Sequence, residues 1–216
     1  MEITFLGHSS FKLKGKSATL ITDPFNPKMT GFSFPKTSAD IVTVSHDHED
    51  HNQSQLVEGN PFVIFGPGEY EIKDVLLFGL PTFHGKEDEK EAEKNTIYLI
   101  EMDGLKLLHL GDLGHKLKLD QLEGVEEVDI LFIPVGNGKV TLGPSEAVEV
   151  IANLEPKIVI PMHYQTEDLN KENFGQLVDV KDFLKQLGVE TTPQPKLTIT
   201  RDSLPEEMQV VVLERK

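Results

Sequence analysis

Apolar residues fall along this chain in short bursts rather than in long helical stripes. β-Branched and aromatic runs lie at 2–6, 11–13, 18–22, 41–44, 62–65, 69–73 and 75–83. Others follow at 96–102, 105–110, 128–133, 157–160, 197–201 and 209–213. Short runs of this kind, punctuated by Gly, Pro and Asp, predict strands. Two stretches repeat at helical spacing instead. In 143–156, GPSEAVEVIANLEP, Ala147, Val148 and Ile151 share one face, with Ser145 as the expected cap and Pro156 beyond the stop. In 179–190, DVKDFLKQLGVE, Asp179 is the cap and Gly188 the stop. Weaker helices are expected after His51 and after Lys118. Many strands with interspersed helices predict a sheet packed on a sheet, with helices outside.

The polar residues of interest sit where the strands stop. Run 2–6 leads into His8, 18–22 into Asp23, 41–44 into His46 and His48, 75–83 into His84, 105–110 into Asp112, and 157–160 into His163. Strand ends hold side chains rigidly, and in α/β sheets ligands gather beyond the carboxyl ends of strands. Segment 45–51, SHDHEDH, supplies three of the eight histidines in the chain. His46 and His48, two apart, face the same side of an extended segment and suit one cation. Asp50 and His51 diverge from each other and can serve a second cation close by. Imidazole and carboxylate donors suit Zn first, with Mn, Fe or Ni also served. Roughly seven candidate ligands exceed the four that a closed structural site uses, which favours an open, catalytic arrangement.

Composition narrows the choice. A chain of 216 residues can bury a core without staples, and one domain over 1–216 is expected. The absence of cysteine excludes disulfides, thiolate metal sites and a cysteine nucleophile. A formal charge of −15 opposes large nucleic acids as partners, though not small phosphodiesters. No apolar run approaches the ~20 residues of a membrane span. The opening MEITFLGHSS lacks the pattern of a secretory leader, so a cytoplasmic protein with no membrane partner is expected. The charge run at 85–95, GKEDEKEAEKN, reads as a solvated loop or short helix beside His84.

His46, Asp47, His48, Glu49, Asp50 and His51 spell H-x-H-x-D-H. With TDPF at 22–25, FHG at 83–85, HLGDLG at 109–114 and PMHY at 161–164, the chain resembles the metallo-β-lactamase superfamily over nearly its whole length. LGHSSF and PVGNGKVTLGPSEA resemble the branch of ascorbate-6-phosphate lactonase and related metal-dependent hydrolases. The resemblance implies an α/β fold, the αββα sandwich. It implies one metal on His46, His48 and His84, and a second on Asp50, His51 and His163. Asp112 would bridge the two, and Asp23 would orient a ligand imidazole from behind. The chain lacks room for the extra domain of the nuclease branches.

Two divalent ions ~3.5–4 Å apart can clamp a hydroxide at neutral pH. The expected activity is therefore hydrolysis of a small ester, lactone or phosphoester. Asp50 is the expected proton acceptor and donor, with His8 close by as a substrate contact. A phosphodiesterase of small nucleotides and a metal-binding protein without hydrolase activity are the alternatives. His115, Tyr164 and the bare backbone of GNG at 136–138 are further candidates for the mouth of the site; His109, inside a strand, is read as structural.

Overall fold

The computed structural model describes residues 1–85, 93–117, 125, 127–137, 139 and 141–216. Among the described residues, thirteen strands form two mixed sheets. The first contains β1 (Glu2–Gly7), β2 (Ser10–Lys14), β3 (Thr19–Thr22), β4 (Ile41–Val44), β5 (Phe62–Phe65) and β12 (Leu197–Thr198), in the order β12-β1-β2-β3-β4-β5. The second contains β6 (Gly68–Ile72), β7 (Val75–His84), β8 (Glu93–Met102), β9 (Leu105–His109), β10 (Ile130–Pro134), β11 (Ile158–Met162) and β13 (Gln209–Val210). Its order is β13-β11-β10-β9-β8-β7-β6.

Alternation along the strands builds the layers. Ile3, Phe5, Phe11, Leu13 and Leu20 of the first sheet meet Leu77, Ile100, Leu107, Phe132 and Ile160 of the second in one buried cluster. The other face of the second sheet, through Leu108, Leu131, Ile133 and Val159, packs on α2 (Pro144–Leu154) and α4 (Val180–Leu187). The outer face of the first sheet is covered by Phe25, Phe32, Leu169 and Phe174, with Met29 of the one-turn α1 (Pro27–Thr30) packed against them and Phe174 supplied by the one-turn α3 (Lys171–Phe174). β10 and β11, ILFIP and IVIPM, are buried at every position. Such strands read as continuous apolar runs because both faces of a parallel sheet are covered. The result is the expected αββα sandwich.

Local differences from the sequence reading have simple causes. Helix α2 is capped at Gly143 rather than Ser145. Pro144 occupies the first turn, and Glu146 reaches back to accept from the Gly143 N–H at 3.2 Å. Asp179 caps α4 through the Lys181 N–H, and Gly188 ends it in the left-handed region, as expected. The helix expected after His51 shrinks to one 3₁₀ turn at Ser54–Leu56. The tail strands are shorter than their apolar runs, and a 3₁₀ turn begins at Arg201. The helix expected after Lys118 and most of segment 85–95 lie outside the described residues. Among the described residues, no helix is long and apolar enough to cross a membrane.

Candidate metal centre

The C-terminal ends of β1, β3, β4, β7, β9 and β11 deliver His8, Asp23, the 45–51 loop, His84, Asp112 and His163 to one end of the sandwich. Three of these, His8, Asp23 and His163, sit at φ of 57°, 37° and 53°. Left-handed backbone is costly for residues other than Gly and persists where the surroundings fix it. The fixing contacts are visible. The His163 N–H donates to His8 O at 2.9 Å, and the Asp23 N–H donates to Thr43 O at 2.8 Å.

Three groups of donor atoms form within this cluster: His46, His48 and His84; His46, His51 and Asp112; and His8, Asp50, His51 and His163. Within each group the atoms lie within 4.8 Å of one another. His51 Nε2, His163 Nε2 and Asp112 Oδ1 are buried without a hydrogen-bond partner among the described residues. Orphaned buried polar atoms are expensive. Here they face one another: His163 Nε2 is 3.1 Å from Asp112 Oδ1, and His51 Nε2 is 3.5 Å from Asp112 Oδ2. Two imidazole nitrogens and a carboxylate oxygen converging without hydrogen-bond partners among the described residues fit a cation.

The partners behind the rings select the nitrogen that each presents. His51 donates through Nδ1 to Asp23 Oδ2 at 2.9 Å. The Ser45 hydroxyl donates to the same Asp23 oxygen at 2.7 Å, so its oxygen accepts from His46 Nδ1 at 3.0 Å. His84 Nδ1 donates to Asp112 O at 3.2 Å. Nε2 is thereby left to face inward on His46, His51 and His84. His48 is reversed: its Nδ1 lies 3.0 Å from His46 Nε2, while its Nε2 donates to Glu93 Oε2 at 2.5 Å. Acceptors of this kind fix the tautomer and orientation of a ligating imidazole.

Electrostatics in the cluster favour a cation too. Burial drives His46 down to about 3 and His8 down to about 4, so both are neutral at pH 7. Burial opposes charge on His51 as well, yet the carboxylates of Asp112, Asp50 and Asp23 outweigh it and hold His51 up to about 10. Burial acts to raise Asp112, and the His163 and His51 imidazoles overcome it, keeping Asp112 well below the ordinary carboxylate range. Asp50 is held down likewise, by His51 and His8 against its burial.

The remaining candidates separate clearly. His109 donates through Nε2 to Ser9 O at 2.9 Å and accepts the Gly111 N–H on Nδ1 at 3.2 Å. It is a strut between two loops, as its place in a strand suggested. His115 accepts the Phe83 N–H and donates to Lys116 O, so both its nitrogens are occupied by backbone. Tyr164 packs against the Phe5 ring with centroids 6.4 Å apart. Gly136 is bare for packing rather than for substrate. A Cβ there would stand 2.1 Å from His163 O. Gly138 lies outside the described residues.

Two supports escaped the sequence reading. Glu93 stands across the β7–β8 ladder from His84, and Asn95 accepts the Asp112 N–H at 3.1 Å while donating to Leu110 O. Solvent reaches the cluster on one side: the His48 and His84 side chains are 34% and 14% exposed, against 0% for His8 and His51.

Comparison with known proteins accords with this geometry. A family model for the β-lactamase superfamily domain matches residues 2–163. A UPF0173 metal-dependent hydrolase of Thermococcus onnurineus is 31% identical over 214 aligned residues, covering 84% of this chain and 93% of that protein. The crystal structure of a Thermotoga maritima protein of the metallo-β-lactamase superfamily aligns with a TM-score of 0.79 and 40% identity. That alignment covers 98% of this chain and 97% of the other. CmlA, a diiron β-hydroxylase from Streptomyces venezuelae, shares the fold alone, with 13% identity, a TM-score of 0.66, and coverage of 92% of this chain and 54% of its own. The chain belongs to the β-lactamase superfamily, within its UPF0173 metal-dependent hydrolase family.

Proposed function

We propose that this protein is a dinuclear metal-dependent hydrolase of a small ester, lactone or phosphoester. His46, His48 and His84 would hold one cation, Asp50, His51 and His163 the other, and Asp112 both. The observation that carries the reading is that the buried atoms His51 Nε2, His163 Nε2 and Asp112 Oδ1, without hydrogen-bond partners among the described residues, face one another at strand ends. Zinc suits the nitrogen-rich donor set, with manganese or iron as alternatives. When bound, a pair of divalent ions supplies Lewis acidity and an activated water at neutral pH.

The chain's own residues do the rest. Asp112 offers one oxygen toward His163 and the other toward His51 and His46. Asp23 and Ser45 lock His51 and His46 in the tautomers that present Nε2. Asp50, ionised and 5% exposed, is placed to take a proton from the attacking water and return it to the leaving oxygen. Substrate enters beside His48 and His84, where the cluster meets solvent. The −15 charge disfavours polyanions and leaves small molecules as the substrate class.

Elemental analysis of the purified protein should give two metal ions per chain. Activity should then be sought on p-nitrophenyl esters, lactones and bis-p-nitrophenyl phosphate. Metal-loaded Asp50→Asn should lose turnover by about 10²-fold or more, the usual worth of a positioned proton-transfer group. Two bound metals with no turnover on any of these probes would favour a metal-binding role instead.

A further inference from the structure

From the donor geometry we infer that His8 is a further protein ligand, the fifth with Asp112, to the cation on Asp50, His51 and His163, which makes that position the closed one of the pair. The inference rests on the dinuclear reading and extends its ligand set by one residue.

His8 points at the cation position, not at the mouth. Its Nε2 lies 2.9 Å from Asp50 Oδ2, and the same oxygen lies 3.6 Å from His51 Nε2. Neighbouring ligand atoms around a five-coordinate cation with bonds of ~2.1 Å lie about 3.0–3.6 Å apart. His8, Asp50, His51 and His163 each place a donor atom within 4.8 Å of the others, close enough for one cation to draw them together. Without metal, the contact between His8 and Asp50 is a hydrogen bond, and loading exchanges its proton for the cation.

The surroundings hold the ring in this pose. His8 sits at φ 57°, its carbonyl accepts the His163 N–H, and its ring packs on His163 and Phe174 with centroids 4.1 and 4.8 Å away. A side chain 0% exposed under these rings does not meet a substrate arriving past His48. Its second nitrogen, Nδ1, has no partner among the described residues, and His8 lines a cavity of about 680 Å³ with Gln165 and Thr166. Gln165 Oε1 and Thr166 Oγ1 are also without a partner among the described residues. A water held among these groups would accept the Nδ1–H that a ligating imidazole has to place.

The eight histidines sort themselves on this argument. His109 and His115 spend both nitrogens on backbone. The other six each keep a nitrogen for the cluster. With His8 counted, the buried cation would have five protein ligands, His8, Asp50, His51, His163 and Asp112, and an open coordination position would fall to the exposed side, where His46, His48 and His84 would hold the other cation.

The test is direct. Uniformly ¹⁵N-labelled protein, stripped with chelator and loaded with ¹¹³Cd, should show six imidazoles with ¹¹³Cd–¹⁵N coupling. At one equivalent, His8, His51 and His163 should couple first. Five coupled imidazoles, with His8 Nε2 uncoupled, would overturn the assignment and leave the hydrolase reading intact. Failure to bind cadmium or zinc at all would overturn both. In competition with a chromophoric chelator, His8→Ala should weaken one of the two zinc equivalents by 10- to 100-fold and leave the other unchanged. Unchanged affinity for both would also refute it. The coupling count on the natural protein decides the matter if His8→Ala does not fold.

Discussion

Glu93 accepts a hydrogen bond from His48 Nε2 at 2.5 Å, on the side of the ring away from His46. The pairing follows from register. β7 and β8 run antiparallel with His84 opposite Glu93, so the ladder that delivers one candidate ligand also delivers a carboxylate to the next. A carboxylate behind a ligating imidazole fixes the ring and raises its basicity, and its removal usually weakens metal affinity by about 10–100-fold. Glu93→Gln keeps the size and loses the charge. It should weaken zinc at the His46, His48 and His84 position by about tenfold, read by competition with a chelator. Because Glu93 is largely exposed, its thermal stability should hardly change.

That carboxylate marks where sequence reading ends. The six strand ends were legible because an apolar run followed by His or Asp is visible one strand at a time. The αββα layering was legible because the runs are short and alternate. Glu93 sits at the end of a charge run, and in one dimension a charge run looks like solvated surface. Only the β7–β8 register separates Glu93 from its neighbours. Asn95 was hidden for the same reason: its partners Leu110 and Asp112 lie in the turn after another strand, β9. His115, three residues after Asp112, read as a candidate for the mouth of the site, and His8 as a strand-end substrate contact. Their roles diverge because backbone occupies both nitrogens of the first and a carboxylate only one of the second.

Gly136 sets a second expectation. The turn after β10 passes so close to the end of β11 that an added Cβ would lie 2.1 Å from His163 O and 3.0 Å from Tyr164 Cα. The obstruction is backbone, which a rotamer change cannot relieve. Gly136→Ala should therefore destabilise the fold by about 1–3 kcal/mol, the range for overpacking. It should also shift His163. The expected result is a lower melting temperature together with weaker binding of one metal equivalent. Alanine tolerated with neither change would show that the two loops separate freely.

Metal uptake should depend on pH with a definite sign. In the metal-free chain, His51 is held up to about 10 by Asp112, Asp50 and Asp23 against its burial, so it carries a proton throughout the neutral range. His46 and His8, pushed down to about 3 and about 4 by burial, carry none. A cation at His51 Nε2 must displace that proton. Below about pH 10, His51 contributes one released proton per cation bound at its position, and apparent affinity rises about tenfold per pH unit from this group. Titration calorimetry at pH 8 in buffers of different ionisation enthalpy counts the protons. An uptake that releases none would contradict the charged state of His51.

Removing metal should cost stability, and the charges predict how. Asp23, Asp50 and Asp112 are all buried and all held below the ordinary carboxylate range, while His51 is the imidazole held protonated among them. Buried charge in excess of its partners is costly, several kcal/mol per uncompensated ion. Zinc at a hundredfold over its Kd should stabilise the fold by about 2.7 kcal/mol through mass action alone. For a chain of this size that is a rise of roughly 5–10 °C in Tm, read by calorimetry of chelator-stripped and reloaded protein. Asp112→Asn separates electrostatics from general tightening. Deleting one carboxylate relieves repulsion in the stripped protein while removing an oxygen shared by both cations. Its stripped form should melt at or above the stripped wild type, and zinc should raise its Tm by less. A stripped Asp112→Asn protein that melts well below stripped wild type would mean that His51 and His163 need this carboxylate more than the carboxylates repel one another.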